Sequence, residues 1–242
     1  MRRSRAGLLG PGLLLLALLG VGLIPLAREA RSPGAASVVI GAKTFTEQYI
    51  LARLIGDRLR ASGHDVRRLD SLGSTVAFDA LRTGRIDGYV DYSGTIWANY
   101  MQRTDNPGRA AITAGVREWL AAEHGVDVIA LGFENTYALA MRRSRAEASG
   151  ITSIVDLIAQ APALSLASDY EFFARPEWPS LQLAYGLDFA GQVSMDSSLM
   201  YSALQAGEVD VITAFSTDGR IDAFDLVVLE DPREAFPPYD AL

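Results

Sequence analysis

The chain has 242 residues and a mass of 26.1 kDa, with 49% hydrophobic and 21% charged residues; this allows one large domain or two small lobes and excludes a disordered chain. A formal charge of −7 and a pI near 4.9 argue against a nucleic-acid binder. The absence of cysteine excludes disulfide scaffolds, thiol nucleophiles, thiolate metal sites and a lipidated N-terminal cysteine, and with only His64 and His124 a multi-histidine metal site is excluded too.

The charge is unevenly spread. The first 36 residues hold five arginines and one acid, and the remainder carries 17 basic and 28 acidic residues, about −11. Lys43 is the sole lysine. Arg2, Arg3 and Arg5 precede an uncharged run from Ala6 to Ala27, and Gly34-Ala35-Ala36 follows as a cleavage triplet that would leave Ser37 first. This is the pattern of a secretory signal peptide. An uncleaved N-terminal anchor is the alternative, since about 20 apolar residues suffice to span a bilayer. Either reading puts the body outside the cytoplasmic membrane, periplasmic or otherwise extracytoplasmic.

After the leader, Val38-Val39-Ile40 reads as a buried strand. Thr44-Phe45-Thr46-Glu47 fits a capping box with Thr44 as N-cap and Glu47 three residues on, and the helix closes at Gly63. Val66 to Leu69 is a second strand, Val76 to Thr83 a helix ended by Gly84, and Ile86 to Val90 a strand. Ala110 to His124 is helical and Val126 to Ala130 a strand. After Phe133 the pattern restarts, with strands at Thr136 to Met141 and Leu164 to Ala167 and a capped helix from Ser153 to Gln160 between them. Helices follow at Ser180 to Tyr185 and Ser198 to Ala206, then strands at Val209 to Ala214 and Leu226 to Leu229. Strands alternating with helices predict an α/β protein with mostly parallel sheets covered on both faces.

One stretch is echoed. Ala80-Leu81-Arg82-Thr83-Gly84-Arg85-Ile86-Asp87 matches Ala203-Leu204-Gln205-Ala206-Gly207-Glu208-Val209-Asp210. Both read as a helix end, a glycine in a left-handed conformation, then a buried strand. Such junctions recur in any α/β protein, but here they suggest one unit in each of two similar lobes, with a ligand in the cleft between them at the carboxyl ends of strands.

Aromatic and small polar residues gather in the loops. The segments are Thr44 to Tyr49, Gly73-Ser74-Thr75, Asp91 to Thr95, Asn135-Thr136-Tyr137, Asp169 to Phe172 with Arg175, Tyr201, and Phe215 to Gly219. There is no Gly-x-Ser-x-Gly elbow and no phosphate loop, and the two histidines read as solvated helix ends. No carboxylate pair is set apart by spacing, so the chain reads as a non-enzyme without metal or cofactor. A tyrosine-rich cleft can hold a quaternary ammonium on ring faces, at about 0.5–2 kcal/mol per contact. An arginine fork can hold a carboxylate at the ligand's other end. Core packing of the same aromatics is the competing reading.

At these segments the chain resembles the substrate-binding proteins of osmoprotectant ABC transporters, the glycine betaine/choline/carnitine group. The resemblance rests on Ile40-Gly41-Ala42-Lys43-Thr44-Phe45-Thr46-Glu47-Gln48-Tyr49, Leu72-Gly73-Ser74-Thr75 and Gly84 to Thr95, followed in order by Asn135 to Ala140, Glu171 to Pro176 and Ala214 to Arg220. It implies a two-lobed periplasmic-binding-protein fold of type II. The leader occupies 1–36, the first lobe begins with 37–133, the second spans 134–218, and 219–242 returns to the first. The resemblance places cage aromatics at Tyr92, Tyr137, Tyr201 and Phe215, the carboxylate-binding arginine at Arg175, and polar cleft positions at Gln48, Thr75 and Asn135.

The implied partners are a small quaternary-ammonium solute and ABC permease subunits, with membrane contact only through the leader or the permease and none with nucleic acid. The same fold binding another polar solute such as an amino acid, an extracytoplasmic enzyme, and a nonfunctional or sensory remnant are the other readings. Departures from the family pattern are Glu177-Trp178-Pro179-Ser180 in place of Asp-Gly after the arginine, Asp91 for glutamate, and Phe215 where some relatives carry tyrosine. Relatives continue beyond a segment like Pro237-Pro238-Tyr239-Asp240, so the first lobe is expected to lack its C-terminal portion.

Overall fold

The computed structural model describes residues 37–242; the leader lies outside them. The first β-α-β unit forms as its pattern requires. β1 (Val38–Lys43) and β2 (Val66–Leu72) pair in parallel, joined by α1 (Thr46–Ala61). α1 starts later than its capping pattern predicts. Phe45 holds the N-cap position and no side chain caps the helix. Glu47 is engaged elsewhere, with Tyr92, Asn135 and Thr217, so it is not available to close a box on Thr44.

α2 (Ser74–Arg82) follows, and the expected strand at Ile86 to Val90 shrinks to a single bridge, Ile40 with Gly88. Two contacts explain this. The Asp87 carboxylate takes the Val39 N–H at 2.7 Å, a donor that a continuing ladder would use. Past Gly88 the chain turns to a different partner: Asp91 and Leu242 exchange backbone hydrogen bonds of 3.2 and 2.9 Å. α3 (Arg109–Trp119) continues through a π-type turn to His124. Val126 to Ala130 is irregular rather than a strand; Val126 and Val128 pack on the Trp97 and Leu120 cluster while Ile129 is exposed, so no ladder partner is left for them.

The second half is built on one five-stranded sheet. Its strands are β3 (Tyr137–Arg142), β4 (Ser165–Ser168), β5 (Gly191–Ser194), β6 (Val211–Phe215) and β7 (Leu226–Val228), in the order β5-β4-β6-β3-β7. β4 is parallel to both β5 and β6, whereas β3 is antiparallel to both β6 and β7. The sheet is therefore mixed, not mostly parallel. The helices are α4 (Arg143–Ser149), α5 (Ile154–Leu157), α6 (Glu177–Tyr185), α7 (Ser197–Ala206) and α8 (Arg220–Ala223). α5 is capped as expected, by a box of Ser153 and Asp156, but it ends at Leu157 rather than Gln160. β5 carries no apolar signal, being a short exposed edge strand.

Leu139, Met141, Leu166, Val211 and Ile212 are fully buried in one continuous core. The two echoed junctions fold alike. Gly84 and Gly207 take φ of 70° and 78°, where a side chain is strained. The Asp210 carboxylate takes the Ser165 N–H at 2.9 Å, as Asp87 does for Val39.

Two chain segments cross between the halves side by side. Asn135 N–H donates to Tyr239 at 3.0 Å, Ala241 N–H to Phe133 at 2.9 Å, and Tyr92 bridges Ala241. The return to the first half thus begins later than residue 219, because β7 still belongs to the second sheet.

Candidate ligand-binding cleft

The carboxyl ends of β1, β4 and β6 face one cleft, with loop and hinge residues completing its wall. Aromatic rings form one side. Phe45 stacks on Phe215 with ring centroids 4.7 Å apart and an interplanar angle of 16°. Tyr92 lies 6.1 Å from Phe45, Tyr137 lies 5.3 Å from Phe215, and Tyr239 meets Tyr137 edge-on at 5.9 Å. The rings are held by hydroxyl contacts outside the cage. Tyr92 Oη donates to Glu47 at 2.5 Å and accepts from Gln48 Nε2 at 3.1 Å. Tyr137 Oη donates to Asp169 at 2.9 Å, and Tyr239 Oη to Glu177 at 2.5 Å. Burial first, and the neighbouring carboxylates second, push all three phenols above their ordinary range, so they stay neutral ring faces with their hydroxyl protons committed.

Two cations form the other side. Lys43 is buried, bonds Asp91 at 2.5 Å, and lies 5.0 Å from the Tyr92 ring centroid. Arg175 is buried over Tyr137 at 5.4 Å. Its Nε and Nη2 donate to Glu177 Oε1 at 3.2 and 2.9 Å, Nη2 also to Thr95 Oγ1 at 3.0 Å, and Nη1 to Glu171 Oε2 at 3.4 Å. Burial opposes its charge, but the oxygens of Tyr137, Glu177 and Tyr239 outweigh that and hold the guanidinium firmly protonated. Glu177 thus ties this arginine to Tyr239 at once. Asp169 is raised above the ordinary carboxylate range, chiefly by burial. The space inside the cleft is about 30 Å³, room for about two waters.

Five residues expected in the site line this cleft: Tyr92, Asn135, Tyr137, Arg175 and Phe215. Three do not. Tyr201 is fully buried behind the cage on α7, where its Oη accepts the Phe215 N–H at 3.0 Å and Arg220 stacks on its ring. Gln48 is buried behind Tyr92 and supports it. Thr75 points to solvent on α2; its neighbour Ser74 faces the cleft in its place. Sequence reasoning missed Lys43, Phe45, Thr95, Asp169, Glu171 and Tyr239. Their signals were present: Lys43 is the sole lysine, Asp169 lies in one of the aromatic and polar loop segments, and the others lie inside segments singled out for the resemblance or its departures.

The fold and its cleft define a two-lobed solute-binding protein of the type II periplasmic-binding class. The family model that matches residues 36–242 is the substrate binding domain of ABC-type glycine betaine transport systems, and the chain belongs to that family. It is 36% identical to a glycine-betaine-binding protein of Pseudomonas aeruginosa, over 84% of this chain and 69% of that protein. It is 28% identical to the carnitine transport binding protein OpuCC of Listeria monocytogenes, over 85% of this chain and 68% of that one. Among solved structures it is similar to a glycine betaine/carnitine/choline ABC transporter protein, with a TM-score of 0.66, 28% identity, and 85% and 78% of the two chains covered. This is a family of extracytoplasmic transport proteins that bind small solutes and work with permease components, not a family of enzymes. Among the described residues no helix is long and apolar enough to cross a membrane.

Proposed function

We propose that the cleft captures a quaternary-ammonium compatible solute such as glycine betaine and presents it to the permease of an ABC importer. The observation that carries this reading is the run of ring faces Tyr92, Phe45, Phe215, Tyr137 and Tyr239 set beside Lys43 and Arg175. A quaternary ammonium has no N–H to donate, so ring faces are its natural partners. Arg175 and Ser74, with Lys43 and Thr95 beside them, would take the carboxylate at the other end.

Residues 37–133 form most of one lobe and 134–230 the other, and the paired crossing segments serve as the hinge. The cavity is too narrow for such a solute in this conformation, and the Phe45–Phe215 stack occupies part of it. Entry therefore calls for the lobes to part and then to close around the ligand. Delivery to the chain's working compartment falls to the N-terminal leader, whether cleaved or kept as an anchor.

Titration calorimetry with glycine betaine, choline, carnitine and proline tests the assignment. Heat with at least one of the first three is expected; none with any of them, from a folded sample, overturns it. One observation favours a second reading, an amino acid. Asp169 and Glu171 on the wall are hydrogen-bond acceptors that a primary ammonium can use and a quaternary one cannot. Binding that survives Tyr137→Ala but not Arg175→Ala would support the amino acid.

A further inference from the structure

Glu171 has an unusual position. It follows β4 in the second half, yet its carboxylate reaches across the cleft to the start of α2 in the first. Oε1 accepts the Ser74 N–H at 2.8 Å and Oε2 accepts the Ser74 Oγ–H at 2.6 Å. Gly73 leaves room for this approach, since a Cβ there would lie 3.3 Å from Oε1. Oε2 also receives Nη1 of Arg175 at 3.4 Å. The other donors of Arg175 are taken by Glu177 and Thr95, so Nη1 is the nitrogen that faces a free choice of partner. Burial works against ionisation of Glu171, but Ser74, Arg175 and Lys43 outweigh it and keep the carboxylate charged.

These are the donors that a solute carboxylate would seek. We propose that Glu171 is a built-in competitor for the carboxylate of an incoming solute, and so sets the balance between zwitterionic and purely cationic quaternary-ammonium ligands. This inference rests on the quaternary-ammonium reading of the cleft. A betaine-type solute must share Ser74 and Nη1 with Glu171, bringing two carboxylates onto the same few donors, which is repulsive. A choline-type solute carries no carboxylate and keeps the attraction of Glu171 for its positive charge. Glu171 therefore lowers affinity for the first class and raises it for the second, while also tying the two lobes together.

The test is Glu171→Gln in the full chain, with dissociation constants for glycine betaine and choline measured by calorimetry. The choline-to-betaine ratio of dissociation constants is expected to rise about tenfold over wild type, the value of one charge-assisted contact. Glu171→Asp keeps the charge but is too short by one methylene to span to Ser74, and is expected to shift the ratio the same way by less. It also carries the test if the glutamine variant folds poorly. Both affinities falling together with the ratio unmoved would mean that Glu171 is only a cross-cleft tie, and would overturn the inference alone. Wild-type protein that binds neither solute would overturn the quaternary-ammonium reading, and this inference with it.

Discussion

The two halves of the molecule build facing walls of one cleft from unequal material. The second half has five strands in one sheet over a continuous core that includes Leu139, Leu166, Phe172 and Ile212. The first half has two paired strands and a single bridge, and apart from Val90 and Tyr92, which join the large core, its clustered buried apolar residues fall into separate small groups around Val39, Ile40 and Trp97. What the first half lacks in ladder and core it replaces with polar ties, namely Lys43 to Asp91, Asp87 to the start of β1, and Asp91 to the chain end at Leu242. The difference teaches that a binding wall needs fixed strand ends rather than a large sheet. A few buried, fully paired polar groups can hold those ends as a deep core does.

The largest expected effect tests where the halves meet. Arg175→Ala leaves Glu177 buried without its cation, so a loss of about 3–5 kcal/mol in stability is expected, with loss of solute binding. Urea unfolding and calorimetry read the two together; full stability with normal binding would remove Arg175 from the account. Next, Leu166→Ala in the second core and Ile86→Ala in the first should differ within the usual range of about 2–5 kcal/mol, the second-half variant costing more. A small cluster at the edge of a short sheet collapses around the missing atoms more readily than a continuous core. Equal midpoint shifts in urea would break the comparison.

A closer pairing is available at the echoed junctions. Asp87→Asn and Asp210→Asn each weaken a charge-assisted contact to an N–H near the start of a strand, and about 1–2 kcal/mol is expected for each. The first-half variant should also weaken solute binding, because β1 ends in Lys43 on the cleft wall. Tyr201→Phe should cost about 1 kcal/mol and loosen the binding of a quaternary ammonium only slightly, since Tyr201 supports Phe215 through its backbone and does not face the cleft. A loss of binding as large as for Tyr137→Ala would restore Tyr201 to the cage.

The smallest effect is a matter of pH. Ser153 and Thr152 hydrogen bonds hold the Asp156 carboxyl at about 2, below its ordinary 3.8. A lowered folded value means that the stabilisation is fully present above the ordinary value and fades as pH falls through the folded one. The stability difference between wild type and Asp156→Asn should therefore shrink between about pH 4 and pH 2, and a difference that stays constant there would sink the assignment.

Much of the fold was legible locally. Apolar runs located β1, β3, β4 and β6 within a few residues, the expected cap at Ser153 located the start of α5, and the repeated Gly-x-[Ile/Val]-Asp located two matching junctions. The misses share a cause. Ile86 to Val90 and Val126 to Ala130 have strand-like composition, yet the first keeps a single bridge to β1 and the second forms no ladder, and pairing is decided by distant residues. β5 is the converse, a segment with a partner and no local signal. The mixed direction of the second sheet likewise depends on β3 entering from the other half, which alternation of elements does not encode.

The sequence by itself determined most of the segments that carry the chemistry: apart from Ser197, each residue of the cleft wall comes from a loop segment, a motif or a departure visible in one dimension. The family resemblance carried by its motifs pointed to Arg175, Tyr92, Tyr137 and Phe215, and all four line the cleft. Only the tertiary structure decided between Tyr201 and Tyr239. Both are buried tyrosines in apolar surroundings. Tyr201 turns into the core because the face of α7 that carries it packs on β6. Tyr239 reaches the cage because residues 239–241 pair with Asn135, Phe133 and Tyr92, contacts up to 149 positions away along the chain. No local pattern holds that information, since it exists only once the two crossing segments lie side by side.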